Sequence, residues 1–379
     1  MNSKYDAVIL GAGIIGTACA LEFAKEGMRV AVIDREAIGA GATGAAMGHV
    51  VVMDDSAAQF ALTRYSQSLW DEIAPELPVD VEFYRPGTIW LAAGEDEWVE
   101  LQRKQDFYSR NGLFVELLDS DALIQAEPNL SRTLCGGLLV RSDAVLNPRP
   151  AARFLLERAT QEGPSVDLFL GRTVVKADHG IAILQDGTRI HSPFLINATG
   201  TLAPALTPGI AVRKRKGHLM STEPCSGFAN HQLVELGYLK SAHRSEEDSV
   251  AFNVQPRMNG EMLIGSSRQY NMEDDAVEQK ILDSMTRRAR LFMPEIESLT
   301  ILRSWTGFRA ATPDKLPLIG PTQDPTVFLA TGHEGLGITT SLATARLLAD
   351  HITGKATAIP IAPYLPSRMT NIAPVTEKN

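Results

Sequence analysis

The sequence is short of cysteine, of long apolar runs and of positive charge, and each shortage removes a class of protein. Its three cysteines, Cys19, Cys135 and Cys225, stand far apart with no CxxC spacing. That is too few ligands for an internal iron–sulfur cluster or a structural zinc site, so no metal centre is expected. So sparse a set also suits a reducing compartment. The most apolar stretch, Ala7 to Leu21, is interrupted by Gly11, Gly13 and Gly16. A bilayer span takes about 20 apolar residues, so no transmembrane segment is expected. Met1-Asn2-Ser3-Lys4 is polar and leads directly into a strand pattern, unlike a signal peptide. A cytoplasmic location is the expectation, with peripheral attachment to an inner membrane left open. Acidic residues outnumber basic ones, 45 to 36, for a net charge of −9. A protein that neutralises nucleic-acid phosphates carries a basic face, so no nucleic-acid partner is expected.

What is present is an ordinary globular composition, and 379 residues are enough for two interleaved domains. Tyr5 to Leu10 reads as a buried parallel strand. A helical pattern follows (Ile14, Ala18, Leu21, Phe23, Ala24) and stops at Gly27, and Met28 to Asp34 is a second strand. The turn between them, Gly11-Ala12-Gly13-Ile14-Ile15-Gly16, is G-x-G-x-x-G. The first glycine permits the tight turn, the second lets backbone approach a pyrophosphate, and the third lets helix pack on strand. The helix N-terminus then offers free N–H groups and partial positive charge to an anion. Asp34, followed by Arg35, ends the second strand, where a carboxylate accepts hydrogen bonds from a ribose diol. Alone the glycine motif is weak; within a complete βαβ unit it points to a dinucleotide.

Two further loops bear on which dinucleotide. Gly39 to Gly48, with Gly41-Ala42-Thr43 at its centre and His49 after it, is rich in small residues that let backbone approach a bulky flat ligand. A buried flavin needs such a wall and a nicotinamide does not, although a surface loop has the same composition. Near the C-terminus, Gly332-His333-Glu334-Gly335-Leu336-Gly337-Ile338-Thr339 feeds a helix. Such an N-terminus, aimed at one edge of a flavin, stabilises the negative charge that develops on reduction. The competing reading is a plain helix-entry loop. Elsewhere Ile181 to Ile190 is a hairpin with Asp186-Gly187 at its turn. A helix is expected over 275–293, and strands near 218–222, 249–254 and 261–266.

Taken together these pieces resemble the D-amino-acid oxidase superfamily of flavoenzymes, over essentially the whole chain. The marks are the turn at Gly11 to Gly16, Asp34, the Gly41-Ala42-Thr43 loop, Ile196-Asn197-Ala198-Thr199-Gly200, Trp305-Thr306-Gly307-Phe308-Arg309 with Pro313-Asp314-x-x-Pro317-x-Ile319-Gly320, and the Gly332 to Gly337 loop. The stretch His231 to Lys240 is most similar to the hydroxyproline-dehydrogenase branch. The resemblance implies an α/β fold: a Rossmann-type FAD-binding domain and a second α+β substrate domain on a mostly antiparallel sheet. The expected division is 1–78, 145–215 and 304–379 for FAD, and 79–144 and 216–303 for substrate.

The resemblance further implies FAD-dependent oxidation of a small amino acid at its Cα–N bond, the substrate being glycine- or sarcosine-like, a D-amino acid, or a proline. Arg309 matches the arginine that grips the substrate carboxylate, and Tyr238 falls where related enzymes place an active-site tyrosine. The expected cofactor contacts also include Gly48, His49, Val174, Val175, Ala198, Thr199, Gly200 and Gly307. Sarcosine oxidases tether their flavin through a cysteine near the Trp-x-Gly motif. Here that segment reads Thr306 to Ala311 without one, so FAD is expected to be noncovalent. Two alternatives stay open: a flavin subunit of a larger amino-acid or opine dehydrogenase complex, passing electrons to a partner, and a flavin-bound protein without turnover. A homo-oligomer or an electron-accepting partner subunit is compatible with each.

Overall fold

The computed structural model describes residues 4–237 and 248–371. Its first sheet has six strands, in the order Leu318–Pro321, Val327–Thr331, Phe194–Asn197, β1 (Ala7–Leu10), β2 (Arg29–Asp34) and Ser165–Leu170. All neighbours are parallel except the hairpin of Leu318–Pro321 with Val327–Thr331. Parallel strands are covered on both faces, which is why β1 is a continuous apolar run. Ala7 and Ile9 point into a core made with helices α1 (Ile14–Lys25), Ala57–Ile73, Pro148–Glu162 and Gly337–Thr353. Val8 and Leu10 point the other way, into a core shared with the strands Val174–Asp178, Ile181–Leu184 and Arg189–His191. The last two are the hairpin expected around Asp186-Gly187.

The second sheet has eight strands: Ile301–Ala311, Arg213–Thr222, Met262–Tyr270, Ser249–Pro256, Gln232–Glu235, Thr88–Ala92, Gly136–Val140 and Val115–Asp119. Among its pairings only Gln232–Glu235 with Thr88–Ala92 is parallel. The α/β class, with a second, mostly antiparallel layer, is therefore the fold of this chain. Strands Arg213–Thr222 and Ile301–Ala311 are long and run across the positions 215/216 and 303/304 where the sequence suggested divisions.

One helix differs from expectation. The pattern from residue 275 becomes a helix only at Gln279, ending at Phe292. The segment before it is tied to the sheet: the buried Lys216 ammonium lies 3.1 Å from Asp274 and 3.6 Å from Glu278, and Thr306 donates to the Asp275 carbonyl. The helix then packs on the sheet through Phe292, stacked on Phe252 at 4.7 Å.

Candidate active site

A cavity of about 500 Å³ opens at the C-terminal end of β1 and extends to the face of the eight-stranded sheet. The glycine turn forms one wall. Gly11 has φ +108°, and a Cβ there would stand 2.7 Å from the Ala198 carbonyl oxygen, so the turn needs glycine to pass over that strand end. A Cβ on Gly16 would run into the Gly11 carbonyl, which is the close helix–strand contact the motif requires. Helix α1 starts after Gly13 with no side-chain cap. The Ile14 N–H donates to Thr43 Oγ1 at 3.0 Å, which fastens the small-residue loop to the helix entry. Asp34 accepts from the Ala12 N–H (2.6 Å) and the Glu36 N–H (2.8 Å), holding its carboxylate at the rim.

The C-terminal loop closes the opposite side. Helix Gly337–Thr353 also begins without a side-chain cap, and Gly337 and Ile338 line the cavity. Thr339 Oγ1 donates to the His49 carbonyl (2.8 Å) and accepts from the Val51 N–H (3.1 Å), joining this helix to the small-residue loop. Burial drives His333 down to about 3 and His49 down to about 4, so both imidazoles are neutral near pH 7. His333 Nε2 bonds Thr344 Oγ1 at 3.0 Å, and the Gln255 side chain stands beside the His49 ring.

Strand Ile301–Ala311 carries the expected Trp305-to-Arg309 motif along the cavity. Trp305 Nε1 donates to the Ala45 carbonyl (3.1 Å), and a Cβ on Gly307 would stand 2.5 Å from the Ala45 Cβ, so this strand and the loop are in contact. Arg309 Nη1 donates to the Ser267 carbonyl (3.0 Å), and its guanidinium lies against Gly217 of the neighbouring strand. Arg215, two residues before Gly217, is ion-paired with Glu334 of the C-terminal loop.

The residues present suit a dinucleotide with a polar ring. Two helix N-termini whose N-cap residues, Gly13 and Leu336, supply no side-chain cap open on the cavity, and buried polar atoms on its wall (Asn253 Oδ1, Ser266 Oγ) lack a partner among the described residues. The family described as FAD dependent oxidoreductase matches residues 6–351. The chain belongs to that family. This FAD-dependent oxidoreductase is 27% identical to the glycine oxidase of Geobacillus kaustophilus over 96% of its own length and 97% of that protein's. It is 28% identical to hydrogen cyanide synthase subunit HcnC of Pseudomonas aeruginosa, with 97% of each chain covered. The crystal structure of glycine oxidase from Geobacillus kaustophilus superposes with a TM-score of 0.87 at 25% identity, covering 97% of this chain and 99% of that one. The L-proline dehydrogenase of P. horikoshii shares the fold at the same TM-score and 21% identity, covering 98% and 99%.

Of the residues singled out in the sequence, Gly11, Gly13, Ile14, Ile15, Asp34, Arg35, Gly41, Ala42, Thr43, Gly48, His49, Val174, Ala198, Thr199, Gly200, Gly307, Arg309, Gly332, His333, Gly335, Gly337 and Ile338 line the cavity. Ala12, Gly16, Val175, Leu336 and Thr339 stand behind or beside that wall. Val175 is half-exposed, because strand alternation turns it away from the side on which Val174 sits. Tyr238 lies outside the described residues. Lining residues that sequence reasoning missed include Arg172, Gly217, Leu219, Asn253, Ser266 and Glu334. Gly217, opposite Gly307 in the register, was discoverable only once the two strands were paired. None of the three cysteines lines the cavity. Among the described residues no helix is long and apolar enough to cross a membrane.

Proposed function

We propose that this enzyme oxidises a small amino acid at its Cα–N bond, with Arg309 as the clamp for the substrate carboxylate. The observation that carries the reading is the placement of Arg309. Its guanidinium lies against Gly217, is anchored to the Ser267 carbonyl, and is adjacent to Gly335 of the loop that feeds helix Gly337–Thr353. A planar guanidinium matches the two oxygens of a carboxylate, and such charge-assisted pairs are the strong ones. The similarity to glycine oxidase supports an amino-acid substrate.

When bound, FAD would supply a two-electron acceptor for the substrate hydride. This chain's residues do the remaining work. The turn at Gly11 to Gly16, Thr43 and Asp34 would hold the dinucleotide, and the absence of a cysteine on the wall supports noncovalent attachment. Gly337 and Ile338 would direct backbone N–H groups at the ring edge that gains negative charge. Arg309 would orient the substrate so that its Cα–H leaves while the amine lone pair forms the C=N bond, giving an imine that water hydrolyses. Neutral His49 would offer an acceptor or donor on the wall without adding charge. In this reading segments 1–78, 145–215 and 304–379 serve the cofactor and 79–144 and 216–303 the substrate.

Anaerobic titration with glycine, sarcosine, D-amino acids, and D- and L-proline and hydroxyprolines should bleach the flavin with one of these sets. A flavin that none of them reduces would refute the amino-acid reading. The similarity to a hydrogen cyanide synthase subunit supports a second reading, a flavin subunit that hands electrons to a partner. Rapid dye reduction with little oxygen consumption would favour it.

A further inference from the structure

Strands Arg213–Thr222 and Met262–Tyr270 pair Lys216 with Gln269 and Met220 with Ile264, so three residues, 217–219, face four, 265–268. One extra residue in one strand is a β-bulge, a device that re-aims groups beside functional sites. Inside this bulge the His218 N–H donates to the Ser267 hydroxyl (2.8 Å), while the Ser267 carbonyl accepts from Arg309 (3.0 Å). The His218 ring completes the arrangement. Its Nε2 accepts from the Glu278 N–H (3.1 Å), so the ring proton sits on Nδ1, which donates to Ser267 Oγ (3.0 Å). Both side chains are buried.

We propose that His218 and Ser267 are positioning residues for Arg309: by pinning the bulge they fix the carbonyl that holds the guanidinium, without touching substrate. The proposal rests on the clamp reading above. Bonded to both the backbone N–H and the ring of His218, the Ser267 hydroxyl ties its residue to the facing strand and so holds in place the backbone that carries its carbonyl. Gly217, next to His218, supplies the bare backbone on which the guanidinium lies. The ring is kept neutral, as a single Nδ1 donor with an Nε2 acceptor requires. Burial lowers its proton affinity, and Lys216 and Arg309 lower it further against the opposing pull of Glu278 and Asp248.

The test uses the full-length FAD-loaded protein and two readouts: the dissociation constant of acetate, followed by its effect on flavin absorbance, and KM and kcat for the best amino acid. Asparagine keeps a donor at the place of Nδ1 but loses the contact with Glu278; glutamine keeps the far contact and loses the near one. His218→Asn should therefore bind acetate as native protein does, whereas His218→Gln should bind it about tenfold more weakly, with KM raised alike and kcat little changed. Ser267→Ala should match His218→Gln, and Ser267→Thr should restore binding. Equal binding by the Asn and Gln variants, or tighter binding by Gln, would overturn the proposal. Arg309→Met separates the two ideas. If it leaves acetate binding unchanged, the clamp reading fails; if it weakens binding while Ser267→Ala does not, the clamp stands and the positioning role falls.

Discussion

Gly217→Ala is the substitution that most directly interrogates the clamp. A Cβ at that position would stand 2.8 Å from both Cζ and Nη2 of Arg309, and closer still to Nη1. Comfortable carbon contacts lie at about 3.5–4.0 Å, so something must move by roughly an ångström. The backbone is poorly placed to yield, because Gly217 belongs to an inner strand paired with Gly307 on one side and flanked by the bulge on the other. The guanidinium is what moves, losing its alignment and its bond to Ser267. A hydrogen bond to a charged group contributes about 1.5–3 kcal/mol. At about 1.4 kcal/mol per factor of ten, forfeiting one prong costs roughly 10- to 150-fold in kcat/KM. Stopped-flow reduction of the flavin by the best amino acid measures this, with flavin content as the control for folding. The alanine should also cost little in an Arg309→Met background, because the contact it disrupts is already gone. Full FAD content with unimpaired kcat/KM, or losses that simply add in the double variant, would refute the reasoning.

Arg309→Met should lower kcat/KM by on the order of a hundredfold or more, and Arg309→Lys should recover only part, since an ammonium keeps the charge without the fork; near-native kinetics in the methionine variant would remove Arg309 from the site. Gly13→Val should abolish FAD binding, because its side chain would crowd Thr43 and fill the approach to the helix N-terminus; normal yellow occupancy would show that the phosphates lie elsewhere. Burial raises the Asp143 carboxyl from 3.8 to about 7. Native protein therefore retains this proton up to about pH 7 while unfolded chains lose it near pH 4, so the group's stabilisation is complete below about pH 4 and is lost as pH rises to 7. Asp143→Asn, a neutral stand-in, should gain stability over the native protein by about 1.4 kcal/mol per pH unit across that window; denaturant melts showing a pH-independent difference would refute this.

The glycine-turn wall of the cavity was readable in the sequence because its constraints are local. Gly11, Gly13, Gly16 and Asp34 fall within one βαβ unit, and each spacing has a single structural use. The wall on the eight-stranded sheet was not. Gly217, Asn253 and Ser266 come together through strand register across the sheet, and each is unremarkable in its own stretch of chain. Periodicity also could not foresee that the Lys216 ammonium holds residues 274–278 out of the helix, since that tie is made from a distant strand. Val175 shows the same limit at close range: proximity in sequence to a lining residue says nothing about which way a strand residue points.

The order of strands in the first sheet has a consequence for synthesis. β1 lies in the middle, and its neighbour Phe194–Asn197 pairs outward with Val327–Thr331, which follows far later in the sequence. Helix Gly337–Thr353, later still, packs against α1. A chain emerging from the ribosome therefore carries the glycine turn, between two strands that can already pair, long before it owns the opposite wall. Flavin capture becomes a late event, and the yellow colour of a molecule certifies that synthesis has passed helix Gly337–Thr353.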